Sequence, residues 1–188
     1  MRTAITVNYL EMRSPTDAPP APARSGLHTC EARRPSPQLS RYLYTAVGSP
    51  WTWYMRRSWS YDRWMTHLRQ PGLSTHIGYV AGTPAGYFEL QKHPDASTEI
   101  KLFGLLPEFI GEGLGSILLS DCVDAAWKTG AARVWLHTCS LDHPAALPNY
   151  QARGFTLFRT DRFVDNLPDQ PLQPFENAGR PYSSPAGP

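Results

Sequence analysis

Cysteine is scarce: Cys30, Cys122 and Cys139 are the three in 188 residues, an odd number at wide spacing. No CxxC pair and no Cys/His spacing of a zinc site occurs, so neither a structural metal nor a disulfide framework is expected. Long apolar runs are also missing, and none approaches the ~20 residues that a membrane span needs. The N-terminal MRTAITVNYLEMR holds an apolar run too short for a secretory leader and no small-residue cleavage site. A cytoplasmic protein that does not enter membranes is the expectation. Residues 1–69 sum to +6 and residues 70–188 to −4, but no Lys/Arg run of five or more appears. Scattered arginines of that kind argue against a nucleic-acid surface. No glycine stretch ends in Gly-Lys-Ser/Thr, which excludes a Walker P-loop. A GxGxxG pattern begun at Gly111 or Gly113 fails at Ser116 or Leu118.

What is present is an ordinary globular composition, 41% hydrophobic and 18% charged, long enough for one domain with a core. The nineteen prolines are unusual and clustered. Residues 1–13 alternate and are β-branched, which predicts an N-terminal strand. Residues 14–26 hold four prolines and read as a linker. Residues 165–188 read as a Pro-rich flexible tail.

The most informative stretch is Glu99–Gly130. Glu99 to Leu106 is rich in apolar and aromatic residues and closed by Pro107, as a strand end would be. Gly111, Gly113 and Gly115 follow at single-residue spacing. From Leu114, apolar residues at 114, 117, 118, 122, 125 and 126 fall on one helical face, and Gly130 follows the last turn. Glycines let the backbone turn sharply, and the unpaired N–H groups of a helix start attract anions. Such a turn would suit a phosphate or pyrophosphate without a lysine. It would serve equally as a plain strand-to-helix connection. Downstream, Arg133 to Cys139 reads as a strand, and Asn149-Tyr150-Gln151-Ala152-Arg153-Gly154-Phe155 as the end of a helix and the start of another strand.

Together these segments resemble the GNAT, or Gcn5-related, acetyltransferases. That family has a strand ending in Val-x-Pro, a Gln/Arg-x-x-Gly-x-Gly/Ala loop and a later Tyr-x-x-x-Gly-Phe. Leu105-Leu106-Pro107 stands at the first place, Ile110–Gly115 at the second and Tyr150–Phe155 at the third. The resemblance covers about residues 78–164. Ile110 departs from the usual Gln or Arg, at a position that contributes mainly through its backbone. His143 stands where the family usually has an Asn that contacts coenzyme A. The resemblance implies an α/β (α+β) GNAT fold: a mixed, mostly antiparallel central sheet of about seven strands with helices on both faces. It places the domain at residues 27–164.

It also implies acetyl-CoA as cosubstrate, with no metal. Loop residues Ile110, Gly111, Glu112, Gly113, Leu114, Gly115 and Ser116 would hold the pyrophosphate through their amides. Backbone groups of Leu105 and Leu106 would pair with the pantetheine where two strands splay apart. Tyr150 would be the general acid, since a phenol of pKa about 10 suits a departing thiolate. A protonated amine acceptor needs a base. Glu99 is the leading candidate, fourteen residues before Gly113, and it reads equally as an exposed strand charge. Glu89 or a water relay is the alternative, and His137 and His143 are further candidates for proton relay. Cys139 raises an acetyl-cysteine route, but no residue near it signals an activated thiol.

Around this signature the rest of the chain reads as follows. Leu27–Arg34 is a strand, and Gln38–Val47 a helix capped by Ser36, with Leu39, Tyr42, Leu43 and Ala46 buried. A second helix starts at Ser60 or Tyr61 and ends at Arg69. The aromatic stretch from Trp51 to Trp64 would either pack those helices or stack on a cationic amine. Thr75–Val80 and Ala85–Gln91 form a hairpin turning at Gly82-Thr83-Pro84. The helix before Tyr150 begins at Asp142 or His143, which leaves Pro148 unusually far inside it. The expected activity is acetyl transfer from acetyl-CoA to a primary amine of a small molecule or peptide by direct attack. The alternatives are a non-catalytic acyl-CoA sensor, or an acyltransferase using a longer chain. A homodimer is compatible with the resemblance.

Overall fold

The computed structural model describes residues 1–23 and 26–168. Seven strands form one sheet: β1 (Arg2–Met12), β2 (Leu27–Glu31), β3 (Leu73–Val80), β4 (Thr83–Lys92), β5 (Ser97–Leu105), β6 (Arg133–Cys139) and β7 (Thr156–Asn166). Four helices accompany them: α1 (Pro37–Gly48), α2 (Tyr61–Leu68), α3 (Leu114–Lys128) and α4 (Ala146–Ala152). The strand order is β2-β3-β4-β5-β6-β1-β7. Every neighbouring pair is antiparallel except β5 and β6, which run parallel with α3 as the crossover. The expected mixed, mostly antiparallel sheet is present. Among the described residues no helix is long and apolar enough to cross a membrane.

The helical spacing read over α3 has its physical counterpart in the core. Leu118, Leu119, Cys122 and Ala126 are fully buried against Leu10, Phe88, Leu90 and Leu136 of the sheet. Each buried leucine contributes roughly 1.5–3 kcal/mol by leaving water. On the other face, Leu43, Ala46 and Val47 of α1 pack on Ile77 and Tyr87. Here the sequence expectation needs correction: Tyr42 faces outward, and Tyr44 is the buried tyrosine of α1. The stripe runs 40, 43, 44 and 47, an i, i+3, i+4, i+7 spacing, and Tyr42 falls off it. Ser36 and Ser60 cap α1 and α2 by accepting the amides of Leu39 and Arg63.

Three boundaries also move. The β3–β4 hairpin turns at Ala81-Gly82, both at positive φ, a two-residue turn that puts Thr83 and Pro84 inside β4. Pro84 sits next to a register shift, where a missing N–H costs least. Helix α4 begins at Ala146, so Pro148 lies in its first turn and needs no distortion. β7 continues to Asn166, and the tail read over 165–188 lies, from residue 169 on, outside the described residues.

Two features position the site. First, β5 and β6 pair only from Ser97↔Arg133 to Ile100↔Leu136. Beyond Ile100, β5 stays with β4 and β6 stays with β1, so the two strands part. Second, β1 is not an edge strand. It lies between β6 and β7, paired on both sides. The 14–26 segment starts its return path with a short 3-10 turn, where Ser14 and Asp17 cap each other's backbone.

Candidate active site

The gap between β5 and β6 opens into a cleft of about 1170 Å³. Of the residues singled out from sequence, Tyr150, Glu99, Leu105, Ile110, Gly111, Gly113, Gly115 and Ser116 line it. Leu106, Glu112 and Leu114 do not. The side chains of Leu106 and Leu114 are in the core, while Glu112 is exposed at the loop tip.

Gly111 and Gly113 adopt φ of +95° and +76°. Gly113 is the N-cap of α3, and no side chain caps that end. Ser116 turns its hydroxyl back to the Gly113 carbonyl. The start of α3 therefore has no side-chain cap, and Gly111, Gly113, Gly115 and Ser116 of this turn line the cleft. A Cβ on Gly115 would come within 3.9 Å of Asn149 and 3.8 Å of Leu105, so α3, α4 and β5 converge here. Two backbone groups are already used: Ile110 N–H donates to Pro107, and Leu106 N–H donates to Ala85 of β4 at 2.9 Å. Since successive N–H groups of a strand point to opposite sides, Leu105 presents its backbone to the gap and Leu106 does not.

Tyr150 is 7% exposed, held edge-on between Phe103 and Phe155. Among the described residues nothing hydrogen-bonds its hydroxyl. Burial, with Asp142 nearby, pushes its phenol far above the ordinary value, so it stays protonated at any physiological pH. Glu99 is 6% exposed, lines the cleft and lies one residue before the β5–β6 pairing ends. Its carboxylate meets His93 Nε2 at 3.1 Å, Lys101 Nζ at 3.5 Å and His137 Nδ1 at 3.9 Å.

Glu89 is elsewhere. It is 2% exposed and accepts from Arg56 at 3.0 Å, with His67 Nε2 also at 3.0 Å. Burial alone would raise its pKa, but the His67 hydrogen bond and the Arg56 charge outweigh it and hold the carboxyl below the usual range. Doubly bound and outside the cleft lining, it is unsuited to be a base. His143 accepts the Ala145 amide on Nδ1, and burial lowers its pKa. Cys139 lines the cleft, but burial and Asp142 raise its thiol pKa, which disfavours a thiolate nucleophile. Among the described residues no cluster of three or more His, Cys, Asp or Glu could hold a metal.

Sequence reasoning missed His93. It sits in the β4–β5 turn, and the hairpin brings it back beside Glu99. Its ring stacks on Trp135. A four-residue turn flanked by two strands was a usable signal, because hairpin closure places its first residue near the start of the next strand. Also missed were Ile5 and Val7 of β1, and Phe163 and Asp165 of β7, all in the cleft lining. Their strands are legible in the sequence, but not their neighbours.

A model of the acetyltransferase (GNAT) family matches residues 37–155. No curated protein matches the chain. Solved structures do. A GCN5-related N-acetyltransferase from Sphaerobacter thermophilus is 14% identical with a TM-score of 0.65, covering 86% of this chain and 52% of its own. One from Kribbella flavida is 18% identical with a TM-score of 0.60, covering 87% and 58%. The spermidine N-acetyltransferase from Vibrio cholerae, in complex with CoA and spermine, is 19% identical with a TM-score of 0.58, covering 71% and 82%. At such identities these likenesses concern the fold alone. The chain spans between 52% and 63% of the length of the first four structures it matches.

Proposed function

The chain belongs to the acetyltransferase (GNAT) family, and from that premise we propose that it transfers the acetyl group of acetyl-CoA to a primary amine. The observation that carries the proposal is the parting of β5 and β6 after Ile100, with Glu99, Leu105, the glycine turn and Tyr150 all lining one cleft. The donor fits that arrangement. The uncapped start of α3 offers amides to its pyrophosphate, and the free side of β5 at Leu105 offers a backbone pair to its pantetheine.

In the proposed step the amine nitrogen attacks the thioester carbonyl carbon directly, and the carbon–sulfur bond breaks. Tyr150 gives its proton to the leaving sulfur. Burial keeps this phenol protonated and so able to donate, and the same shift makes it a weaker acid than a free phenol. Glu99 takes the proton of the amine. His93, in contact with Glu99 and about one-third exposed, passes it to solvent. The raised Cys139 thiol supports direct attack over a route through acetyl-cysteine. We place the reaction in the cytoplasm.

The test is Tyr150→Phe. Loss of a general acid costs typically 10²–10⁴-fold in rate. The variant is expected to lose at least about a hundredfold in kcat while calorimetric binding of acetyl-CoA is unchanged. Wild-type protein that binds neither acetyl-CoA nor longer acyl-CoAs would sink the proposal. Binding without release of free thiol, for any amine, would leave a sensor.

A further inference from the structure

The connection between α1 and α2, residues 49–60, lines one side of the cleft with residues 51–56 and forms a strap pinned on several walls. Trp51 meets His143 of the β6–α4 connection edge-on at 5.0 Å. Trp53 packs on Tyr44. Tyr54 donates its hydroxyl to Asp165 of β7 at 2.9 Å, a bond that, with burial, raises the tyrosine pKa. Arg56 is held by buried Glu89 of β4. The strap thus reaches from α1 to β7 and bridges this side of the cleft.

Beneath it, Ile5 and Val7 of β1 and Phe163 of β7 supply an apolar floor. The acids of the lining are already engaged. Asp165 accepts from Tyr54, Asp142 accepts from Thr138 and the Cys139 amide, and Glu99 is flanked by His93 and Lys101. Two cations, Arg56 and Lys101, share the same walls. A polycation would meet no row of unpaired carboxylates here, and a folded protein surface would meet the strap.

We infer that the acceptor is a small primary amine carried on an apolar body about the size of an aromatic ring, rather than a polyamine, an aminosugar cation or a lysine on a folded protein. The inference rests on the acetyl-transfer reading above and narrows its substrate class. The amine reaches Glu99 at the inner end, while its ring lies between the strap and the Ile5–Val7–Phe163 floor.

The experiment measures free-thiol release with acetyl-CoA and four acceptors: 2-phenylethylamine, tryptamine, spermidine and kanamycin. Acetyl-CoA binding is titrated alongside. The expected result is a kcat/KM for the better aromatic amine about tenfold or more above those of spermidine and kanamycin, the discrimination one apolar pocket supplies. Phe163→Ser then tests the floor without emptying the core, since Phe163 is 48% exposed. It should raise the KM for the aromatic amine at least threefold and leave the KM for acetyl-CoA unchanged. Spermidine or kanamycin as the best acceptor, no turnover of either aromatic amine, or an unchanged KM in Phe163→Ser each overturns the inference. In the first and last cases acetyl transfer stands. Absence of acetyl-CoA binding removes both.

Discussion

At the scale of single residues, the two glutamates of the neighbouring strands β4 and β5 have opposite fates. Glu99 lies beside the point where two strands part, in contact with the partly exposed His93. Glu89 is enclosed with Arg56 and His67 and holds the strap. Each assignment has its own test. A primary amine has a pKa near ~10 and loses its own proton as pH approaches that value. Glu99→Gln should therefore depress kcat/KM most near pH 7, with the deficit shrinking steadily toward pH 9.5. A constant deficit across that range would remove Glu99 as base. Glu89→Gln leaves Arg56 without its buried counter-charge, and breaking such pairs costs about 3–5 kcal/mol. The loss should appear as a lower urea midpoint. The acid limb follows from the sign of the shift. The folded pKa lies below the unfolded one, so the Glu89 contribution is complete above the unfolded value of about 4.3 and disappears as pH falls through the folded value. Wild type and Glu89→Gln should accordingly converge in stability as pH falls below the unfolded value and through the lower folded one. Parallel curves down to the acid transition would contradict this.

At the scale of elements, turns do the positioning. Gly113 starts α3 in a left-handed conformation, and a Cβ there would meet nothing within 4 Å. Gly113→Ala should therefore cost only the conformational penalty, roughly 1–2 kcal/mol. Gly154, between α4 and β7, has φ of +99°, and its Cβ would fall on the Asp17 carbonyl oxygen. Gly154→Ala must pay that collision as well, and is expected to lose more than Gly113→Ala in the same denaturant series. Equal losses would mean that the 14–26 segment yields freely. Arg153 argues that it does not, since its guanidinium ties Pro20 to Ser120 of α3. The aromatic stretch divides at this scale too. Trp64 and Tyr44 are core, whereas Trp51 and Tyr54 reach across the cleft. Helical spacing distinguishes the first kind. The second kind lies in a connection without period, so no pattern marks it.

At the scale of the whole molecule, β1 is the strand on which both halves of the site depend. It pairs with β6 over Val7–Met12 and with β7 over Arg2–Glu11, and buries Leu10 and Met12 under α3. The amino terminus also donates to the Leu167 carbonyl. Deleting residues 1–12 would strip β6 and β7 of their shared partner and expose the core. The expected outcome is loss of the cooperative thermal transition, whereas Leu10→Ala should leave it intact but lower stability by about 2–5 kcal/mol. A deleted chain that stays soluble and melts cooperatively would show that β1 is an accessory.

The order of strands and helices, the face of α3 that is buried, and the placing of the glycine turn before a helix were all decided locally, by side-chain period and by glycine. They are legible in the sequence for that reason. Tyr150 and the turn could be named from the chain through a resemblance that spans about ninety residues. What only the tertiary structure decided depends on contacts between segments far apart in sequence. Val7 meets Cys139, Tyr54 meets Asp165, and Arg56 meets Glu89. Periodicity reports which face of an element is apolar, not which element will cover it. The separate surroundings of Glu89 and Glu99, and the strap along the cleft, follow from those pairings.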